Sequence, residues 1–558
     1  MLQRVLWVAV AVTVVVLAVV PDSVVGTFTR AFGAAEEECA PRDTRVMARY
    51  PITGYWMIPR SDACVTRRMV EAIHGVGADT LITFGARLLP ASVDAAGRVT
   101  GEAAGAFAGC VEDGRTCYQA ARDTGREIRR VYTYTASEHF GAGMLRCPGL
   151  DRRVENGGRV YHRLMLGDSC DASSYDLVLI TADGDGVGHL MTEAAAQGMR
   201  VIPGLPVPPK DEAKPWLPGL DHLPALNAFT ARVVADYRQR YGSSTALGGL
   251  YQSFELAMRD RADDDPIIAL YAAQHEVVAR AWPGMTIMVS PFWDARRGRG
   301  FPPERAERGF DQIAATRAGA PMVIAVQDGR GVGKVPVYGA DEVDAPVDTR
   351  LEPVTGKVTN RQAYYGSTRD YIEAAARRVV PGVELWVNVE VFEPAQTAGE
   401  CGRADPFPLR GRTTKARVDE QVAAAGPHKI IAYGWDPFLT CRDAPAAPSL
   451  ADELVAGWQE PIVVRATPAV RDGVAGVTVE GHHLRGGAVR FTYHRAGAGP
   501  VTVEAPRALP GPRRGSLESV WTPFAPQDPD PARPWVTITV VSAAGHTSTS
   551  GYAMRAAL

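Results

Sequence analysis

The sequence predicts a (β/α)8 TIM barrel with a cysteine-bearing insertion, followed by a C-terminal immunoglobulin-like β-sandwich. Three observations support this prediction. Between residues 51 and 458, a short apolar run, a turn and an amphipathic segment recur eight times. A stretch with four cysteines, residues 85–188, interrupts that rhythm after the second run. After residue 458 the helical pattern stops, and short β-rich runs separated by turn residues begin.

The eight apolar runs have the composition of parallel strands, which are covered on both faces and are therefore apolar along their whole length. They are residues 52–58, 79–84, 200–205, 248–254, 286–290, 322–327, 384–391 and 429–434. Between them, Asp265-Pro266 provides an N-cap and a first-turn proline for one helix, and Pro283-Gly284 ends it. Residues 176–181 are a further buried-strand candidate. An open doubly wound sheet is the alternative fold, but no G-x-G-x-x-G follows the first run.

These patterns divide the chain into three parts. Residues 1–35 form a signal peptide or an N-terminal membrane anchor, because the apolar run 5–20 follows the basic Arg4. Residues 36–459 form the barrel, with its insertion at 85–188, and residues 460–558 form an accessory β-sandwich. Either kind of leader predicts a secreted or extracytoplasmic protein, and an uncleaved anchor would attach it to a membrane at its N-terminus.

The cysteines agree with export. There are eight, all beyond the predicted leader, and an even number in an exported chain indicates disulfides. Local pairing favours Cys110 with Cys117 and Cys147 with Cys170. This leaves Cys401 for Cys441 and Cys39 for Cys64.

Metals, cofactors and nucleic acid are not expected. No two cysteines have the C-x2-C spacing of a zinc site, and Asp183-Gly184-Asp185 lacks the downstream acidic ligands of a calcium loop. A formal net charge of -3 gives no large attraction to a phosphate backbone. The absence of G-x-S-x-G argues against a serine esterase.

Two carboxylates stand at predicted strand ends, on the face where barrel active sites form. Glu255 directly follows the fourth run, and Glu390 lies among valines in the seventh. Burying a carboxylate is costly unless it has a partner or a task, so both are catalytic candidates. The alternatives are structural: Glu255 could open the next helix in solvent, and Glu390 could form an ion pair with an arginine.

Other side chains at the same predicted level are candidates for binding substrate. Polar groups there can hydrogen-bond a ligand, and flat rings suit the apolar faces of sugars. Such rings can equally belong to the barrel core, and an Asp-Gly pair also fits a simple turn. The predicted substrate-binding residues are Trp56, Tyr251, Trp293, Gln327, Asp328, Trp386, Asn388, Glu393 and Trp435.

The barrel resembles the glycoside hydrolase family first catalogued as domain of unknown function 4434. The residues that carry this resemblance are Ile52-Thr53-Gly54 with Trp56, Gly249-Leu250-Tyr251 with Glu255, Ser290-Pro291-Phe292, Gln327-Asp328-Gly329, and Leu385-Trp386 with Glu390 and Phe392-Glu393. The resemblance implies a retaining glycosidase in which Glu255 is the acid/base and Glu390 the nucleophile. The chain departs from retaining barrel glycosidases at Phe254, where they usually have asparagine.

These features predict an exported glycoside hydrolase that uses two carboxylates to cleave a polysaccharide or oligosaccharide. The alternative is a non-catalytic carbohydrate-binding or envelope-assembly protein that uses the same cleft.

Overall fold

A computed structural model describes residues 39–395, 401, 410–505 and 508–556. The chain divides into two compact units, Met1–Asp43 and Thr44–Leu558. The predicted leader, residues 1–35, lies outside the described residues, and residues 39–43 carry no helix or strand. Within the described ranges, no helix has both the length and the apolar character needed to cross a bilayer.

The second unit contains a (β/α)8 barrel, as predicted. Its eight parallel strands are β1 Ile52–Trp56, β2 Thr80–Ile82, β3 Arg200–Ile202, β4 Leu250–Gln252, β5 Ile287–Val289, β6 Met322–Gln327, β7 Val383–Glu390 and β8 Lys429–Tyr433. They are hydrogen-bonded in the order β3-β2-β1-β8-β7-β6-β5-β4. Parallel bridges from Val201 to Leu247 and from Gly204 to Tyr251 join β3 to β4 and close the barrel. All eight predicted strands are therefore confirmed.

One helix of the outer layer follows each strand. The helices are α1 Ala63–Gly75, α2 Gly186–Ala196, α3 Leu223–Tyr241, α4 Pro266–Ala281, α5 Pro303–Ala315, α6 Thr368–Ala376, α7 Lys415–Ala425 and α8 Leu450–Ala456. Asp265 caps α4 as predicted, since its side chain accepts hydrogen bonds from the N–H groups of Ile267 and Ile268. Shorter helical segments lie at Ala104–Gly109, Cys117–Arg122, Glu352–Thr355 and Asn360–Ala363.

Two apolar layers hold the barrel together. The larger layer lies between the strands and the helices. The smaller one fills the inside of the barrel with side chains that alternate with the outer set along each strand. The inner layer consists of Trp56, Ile82, Ile202, Tyr251, Met288, Val323, Ala325 and Ile431. The barrel is therefore a packed core whose open face lies at the C-terminal ends of the strands.

The insertion between β2 and α2 forms its own six-stranded sheet. The candidate strand at residues 176–181 belongs to this sheet rather than to the barrel. Disulfides join Cys110 to Cys117 and Cys147 to Cys170, as predicted. The strands of the sheet are Leu89–Val93, Val99–Thr100, Glu127–Ala136, Arg152–Asn156, Arg159–Leu166 and Ser174–Ala182. We call this part the excursion.

The C-terminal residues form a β-sandwich of two four-stranded sheets with antiparallel strand pairs. The apolar inner faces of the two sheets pack on each other, and the rings of Phe491 and Phe524 stack with centroids 3.8 Å apart. One sheet contains Ile462–Arg471, Val474–His482, Leu509–Pro510 and Glu518–Pro523, and the other Ala488–His494, Pro500–Glu504, Trp535–Val541 and Tyr552–Arg555. The sandwich contacts the barrel through α7, where the Thr549 hydroxyl donates to Asp419 over 2.7 Å.

Candidate active site

The two predicted catalytic carboxylates lie at the same open face of the barrel. Glu390 is the last residue of β7, and only 6% of it is exposed. Glu255 lies three residues beyond β4, where its side chain is exposed. The charge of Glu255 acts on Glu390 and raises the pKa of that carboxyl. Both side chains therefore face one cleft, which we call the mouth.

Glu390 is a buried carboxyl without an ion-pair partner among the described residues. Its Oε2 accepts no hydrogen bond within the described part of the chain. Burial is the largest cause and the nearby Asp328 carboxylate the second in raising the pKa of Glu390 from an ordinary 4.5 to about 8. Burial and Asp328 thus favour the protonated form of Glu390, and no described residue forms the structural ion pair that was the alternative.

Glu255 has a different environment. Protein surrounds its side chain on most sides although solvent reaches it, and this desolvation raises its pKa. The Lys334 ammonium, a hydrogen bond from Gln327 and the Arg410 guanidinium act in the opposite direction on the same pKa. Glu255 is not part of a helix, since α4 begins at Pro266. The same two cations also lower the pKa of Glu390, so the mouth holds two desolvated carboxyls beside a shared pair of positive charges.

Four aromatic rings form the floor of the mouth. Phe84 follows β2, is 39% exposed and lies over Trp56, with ring centroids 6.4 Å apart. Its ring also meets Tyr251 and Tyr433 edge-on, at 6.0 Å and 5.9 Å. The predicted residues Trp56 and Tyr251 are almost fully buried beneath this surface. They support the floor, whereas Phe84 presents a ring to the cleft.

The predicted amides Gln327 and Asn388 lie side by side at the ends of β6 and β7. Gln327 donates to the carbonyl of Ser290 over 2.8 Å, and Asn388 donates to the hydroxyl of the same serine over 3.2 Å. The Oδ1 of Asn388 accepts no hydrogen bond from any described residue. Gln327 also lies near Glu255 and lowers the pKa of that carboxyl, while Asn388 offers a spare acceptor inside the barrel.

Two predicted substrate-binding carboxylates are not available to a ligand. Glu393 is 1% exposed, because the short strand Phe392–Pro394 pairs with Arg410–Arg412 and carries it inward. There it accepts hydrogen bonds from Arg350, Arg417 and Thr413. Asp328 is fully buried, and its oxygens accept from the backbone N–H groups of Arg330 and Glu390 and from the side chain of Gln421. Both carboxylates hold the loops around the mouth in place, which corrects their predicted role.

Three predicted tryptophans also lie outside the mouth. Trp293 is fully buried against Tyr371, between the barrel and its helices. Trp435 is 3% exposed and meets Tyr55 edge-on. Trp386 lies near the N-terminal end of β7, where its indole N–H donates to Glu384 over 3.0 Å. Core packing explains the first two, and the third lies at the opposite end of the barrel.

The mouth contains three residues that the sequence does not single out. Lys334 lies in the loop after β6, and Arg410 begins the short strand that pairs with Phe392–Pro394 after β7. Lys334 Nζ lies 3.6 Å from the centroid of the Phe292 ring. No periodicity marks residues in such loops. Phe84 ends the second apolar run, so its position at a strand end is the signal that could have identified it.

Among the described residues, no group of three or more histidine, cysteine, aspartate or glutamate side chains could hold a metal ion. The chemistry available at the mouth from the described side chains is therefore that of carboxyl groups, two cations, amides and aromatic rings.

Comparison with known families identifies the chain at the level of its family. Residues 169–448, half of the sequence, match the model described as Domain of unknown function (DUF4434). The chain belongs to the DUF4434 family. Residues 102–182, in the excursion, match a second model, described as Domain of unknown function (DUF8405). The DUF4434 match includes β3 to β8 and both mouth carboxylates. Comparison with curated proteins gives no match.

Several solved structures are similar to the chain at low identity. A Bacteroides thetaiotaomicron protein proposed to be an alpha-L-fucosidase has a TM-score of 0.38 and 14% identity, covering 76% of this chain and 96% of its own. An endo-beta-1,4-mannanase from Cellulomonas fimi has a TM-score of 0.30 and 13% identity, covering 67% and 82%. The endo-beta-1,4-mannanase from Thermotoga petrophila has a TM-score of 0.29 and 10% identity, covering 91% and 98%.

Proposed function

We propose that the protein is an exported glycoside hydrolase that cleaves a polysaccharide or oligosaccharide with Glu255 and Glu390. The observation that carries this proposal is the pair of carboxyl groups at one mouth, close enough for the charge of one to raise the pKa of the other. Two such carboxyls are the catalytic equipment for acetal hydrolysis. The exposed ring of Phe84 beside them offers an apolar surface to a sugar.

In a retaining reaction, the Glu390 carboxylate attacks the anomeric carbon. The bond to the leaving oxygen breaks, and that oxygen takes the proton of Glu255. Water then gives a proton back to Glu255 and attacks the same carbon, which releases the sugar and restores the Glu390 carboxylate. At the start of the cycle, the two carboxyls must hold one proton between them. The raised pKa values of both carboxyls favour keeping a proton on the pair.

The reaction needs the proton on Glu255 and the charge on Glu390. Burial raises the pKa of both carboxyls, Asp328 raises that of Glu390 further, and Lys334 and Arg410 lower both. In the roles that the family resemblance implies, the active form carries the proton on Glu255. Because the charge of Glu255 acts on the pKa of Glu390, the pH profile of activity reports the pair rather than either residue alone.

The test is turnover on galactomannan, xylan, laminarin, polygalacturonate and soluble chitosan, measured as reducing ends released. Glu255→Gln and Glu390→Gln should each lower turnover by at least about 1,000-fold, because proton transfer and nucleophilic attack each contribute factors of this size. Glu384→Gln is the matched control, since Glu384 is exposed at the other end of β7. The Glu384→Gln variant should release reducing ends at the wild-type rate. Equal turnover by the two mouth variants and the wild type would contradict the proposal.

Azide distinguishes the two carboxyls. With Glu255→Ala, azide should restore turnover and give a glycosyl azide of retained configuration, because the covalent intermediate still forms on Glu390. With Glu390→Ala, azide should give the inverted product. The opposite pattern, read by NMR of the anomeric proton, would exchange the two roles while leaving the hydrolase assignment intact.

Export is the second part of the proposal. Disulfides at Cys110–Cys117, Cys147–Cys170 and Cys401–Cys441 support an oxidising compartment. No described cysteine carries a free thiol. The predicted pairing of Cys39 with Cys64 and the domain limits at residues 36–459 and 460–558 stay predictions. Fractionation of cells that produce the full chain, with detection at its C-terminus, should find it outside the cytoplasm.

A further inference from the structure

The loop after β3 displays a tryptophan on the same face of the barrel as the mouth. Trp216 is 69% exposed, and no other described tryptophan is exposed. Its indole is therefore available to a partner that approaches the C-terminal face.

The loop holds Trp216 in a fixed position. One backbone hydrogen bond spans the turn, in which the Asp211 N–H donates to the carbonyl of Leu217 over 2.9 Å. The Asp211 side chain also accepts from the N–H groups of Ala213 and Lys214. The base of the loop is joined to the segment after β2, where Arg87 donates to the carbonyl of Pro208. A ring presented on so constrained a turn loses little conformational entropy when a ligand stacks on it.

The loop continues directly into a groove at the edge of the excursion. Behind Trp216 follows the turn Leu220–His222, in which Leu220 is 38% exposed. His222 Nδ1 lies 2.9 Å from the hydroxyl of Tyr132, and Arg130 pairs with Asp221 over 3.2 Å. Of these residues, Arg130, Tyr132 and His222 line a cavity of about 330 Å³ at the edge of the excursion. A ligand on Trp216 can therefore continue onto the excursion.

We propose that Trp216 and this groove form a remote subsite for a glycan chain, which makes a polymer rather than a short oligosaccharide the preferred substrate. The loop around the ring favours a sugar, because Lys210, Asp211, Glu212 and Lys214 precede Trp216 within six residues and give the loop a polar composition. A protein interface would instead need a contiguous apolar patch. A flat apolar ring inside a polar rim fits a sugar, which has C–H groups on its faces and hydroxyls at its edge. This inference rests on the proposed hydrolase function and identifies its substrate class.

Binding is tested without turnover, in the full chain carrying Glu255→Gln. Affinity electrophoresis through gels containing each of the five polymers of the turnover panel gives a dissociation constant. Trp216→Ala should weaken binding about tenfold, the change typical of truncating a tryptophan anchor, and Trp216→Phe should restore most of it. Val379→Ala is the control, because Val379 is 88% exposed in the segment before β7, at the opposite end of the barrel. It should bind like the parent.

Kinetics then connect the subsite to the mouth. In the active chain, Trp216→Ala should raise KM for the polymer and leave kcat, as well as hydrolysis of short aryl glycosides, unchanged. No retardation of the parent by any polymer, or equal retardation with and without Trp216, would overturn the subsite. A change in oligomeric state caused by Trp216→Ala would also overturn it, in favour of a protein partner. If a polymer retards the protein only when Trp216 is present, and the active chain hydrolyses none of the polymers, the subsite is supported and the hydrolase function is rejected.

Discussion

Replacing Glu390 with glutamine should change how the stability of the protein depends on pH. In the wild type, burial and Asp328 raise the pKa of Glu390 to about 8, whereas in the unfolded chain it has an ordinary value of 4.5. The folded state therefore binds this proton more tightly than the unfolded state. The stabilisation from the protonated carboxyl is complete below pH 4.5 and is lost as pH rises through about 8. Glutamine keeps the shape of the protonated side chain and cannot ionise.

The size of this effect follows from the two pKa values. The pKa difference between 4.5 and about 8, at about 1.4 kcal/mol per pH unit, corresponds to a change in the free energy of unfolding on the order of 5 kcal/mol. The wild type should lose stability of this order, relative to Glu390→Gln, between pH 5 and pH 9. Near pH 5 the two proteins should differ little, because both then carry a neutral side chain at this position.

Urea unfolding of the full chain, followed by tryptophan fluorescence at several pH values, measures the difference between the two proteins. Comparing the two at each pH cancels contributions from titrating groups that do not interact with Glu390. Glu384→Gln, an exposed change on the same strand, should run parallel to the wild type. A difference between Glu390→Gln and wild type that stays constant from pH 5 to pH 9 would refute the idea that Glu390 is protonated in the free protein.

Three further changes test the surroundings of the mouth. Asp328→Asn removes a charge that raises the pKa of Glu390, so the pH at which the wild-type stability falls should move down. Lys334→Met removes a charge that lowers the same pKa, so that pH should move up; a shift in the other direction in either experiment would contradict the described electrostatics. Glu393→Gln should cost about 3 kcal/mol in urea unfolding, because breaking a buried ion pair leaves arginines without their carboxylate. Glu307→Gln, which loses the exposed Arg377 pair, should cost less than about 1 kcal/mol, and equal costs would argue against a structural role for Glu393.

The barrel strands are the part of the fold most readily predicted from sequence. A parallel strand covered on both faces has little room for polar residues, so each appears as a continuous apolar run. For β6 the prediction and the structure agree at both ends. The sandwich strand Glu518–Pro523 escapes this reasoning, because polar and apolar residues are mixed along it and its neighbours determine the pairing.

The site is predictable only as far as strand ends determine it. Position alone identifies Glu255, Gln327 and Glu390, because side chains at the C-terminal ends of parallel strands share one face. The surroundings of Glu393 could not be predicted in this way. A short strand after β7 directs its side chain towards arginines that are distant in sequence. Lys334 lies in a loop without periodicity, and its place beside both carboxyls depends on the tertiary fold.

The strand order also bears on how the protein can be trimmed for production. β1 lies between β2 and β8, so this strand is hydrogen-bonded to a neighbour on both sides. A fragment cut to the DUF4434 match, which starts at residue 169, would lose both β1 and β2. β3 and β8 would then be left with unpaired backbone edges, which are templates for aggregation. Shortened versions intended for crystallisation or display should therefore begin ahead of Ile52 and retain the whole excursion.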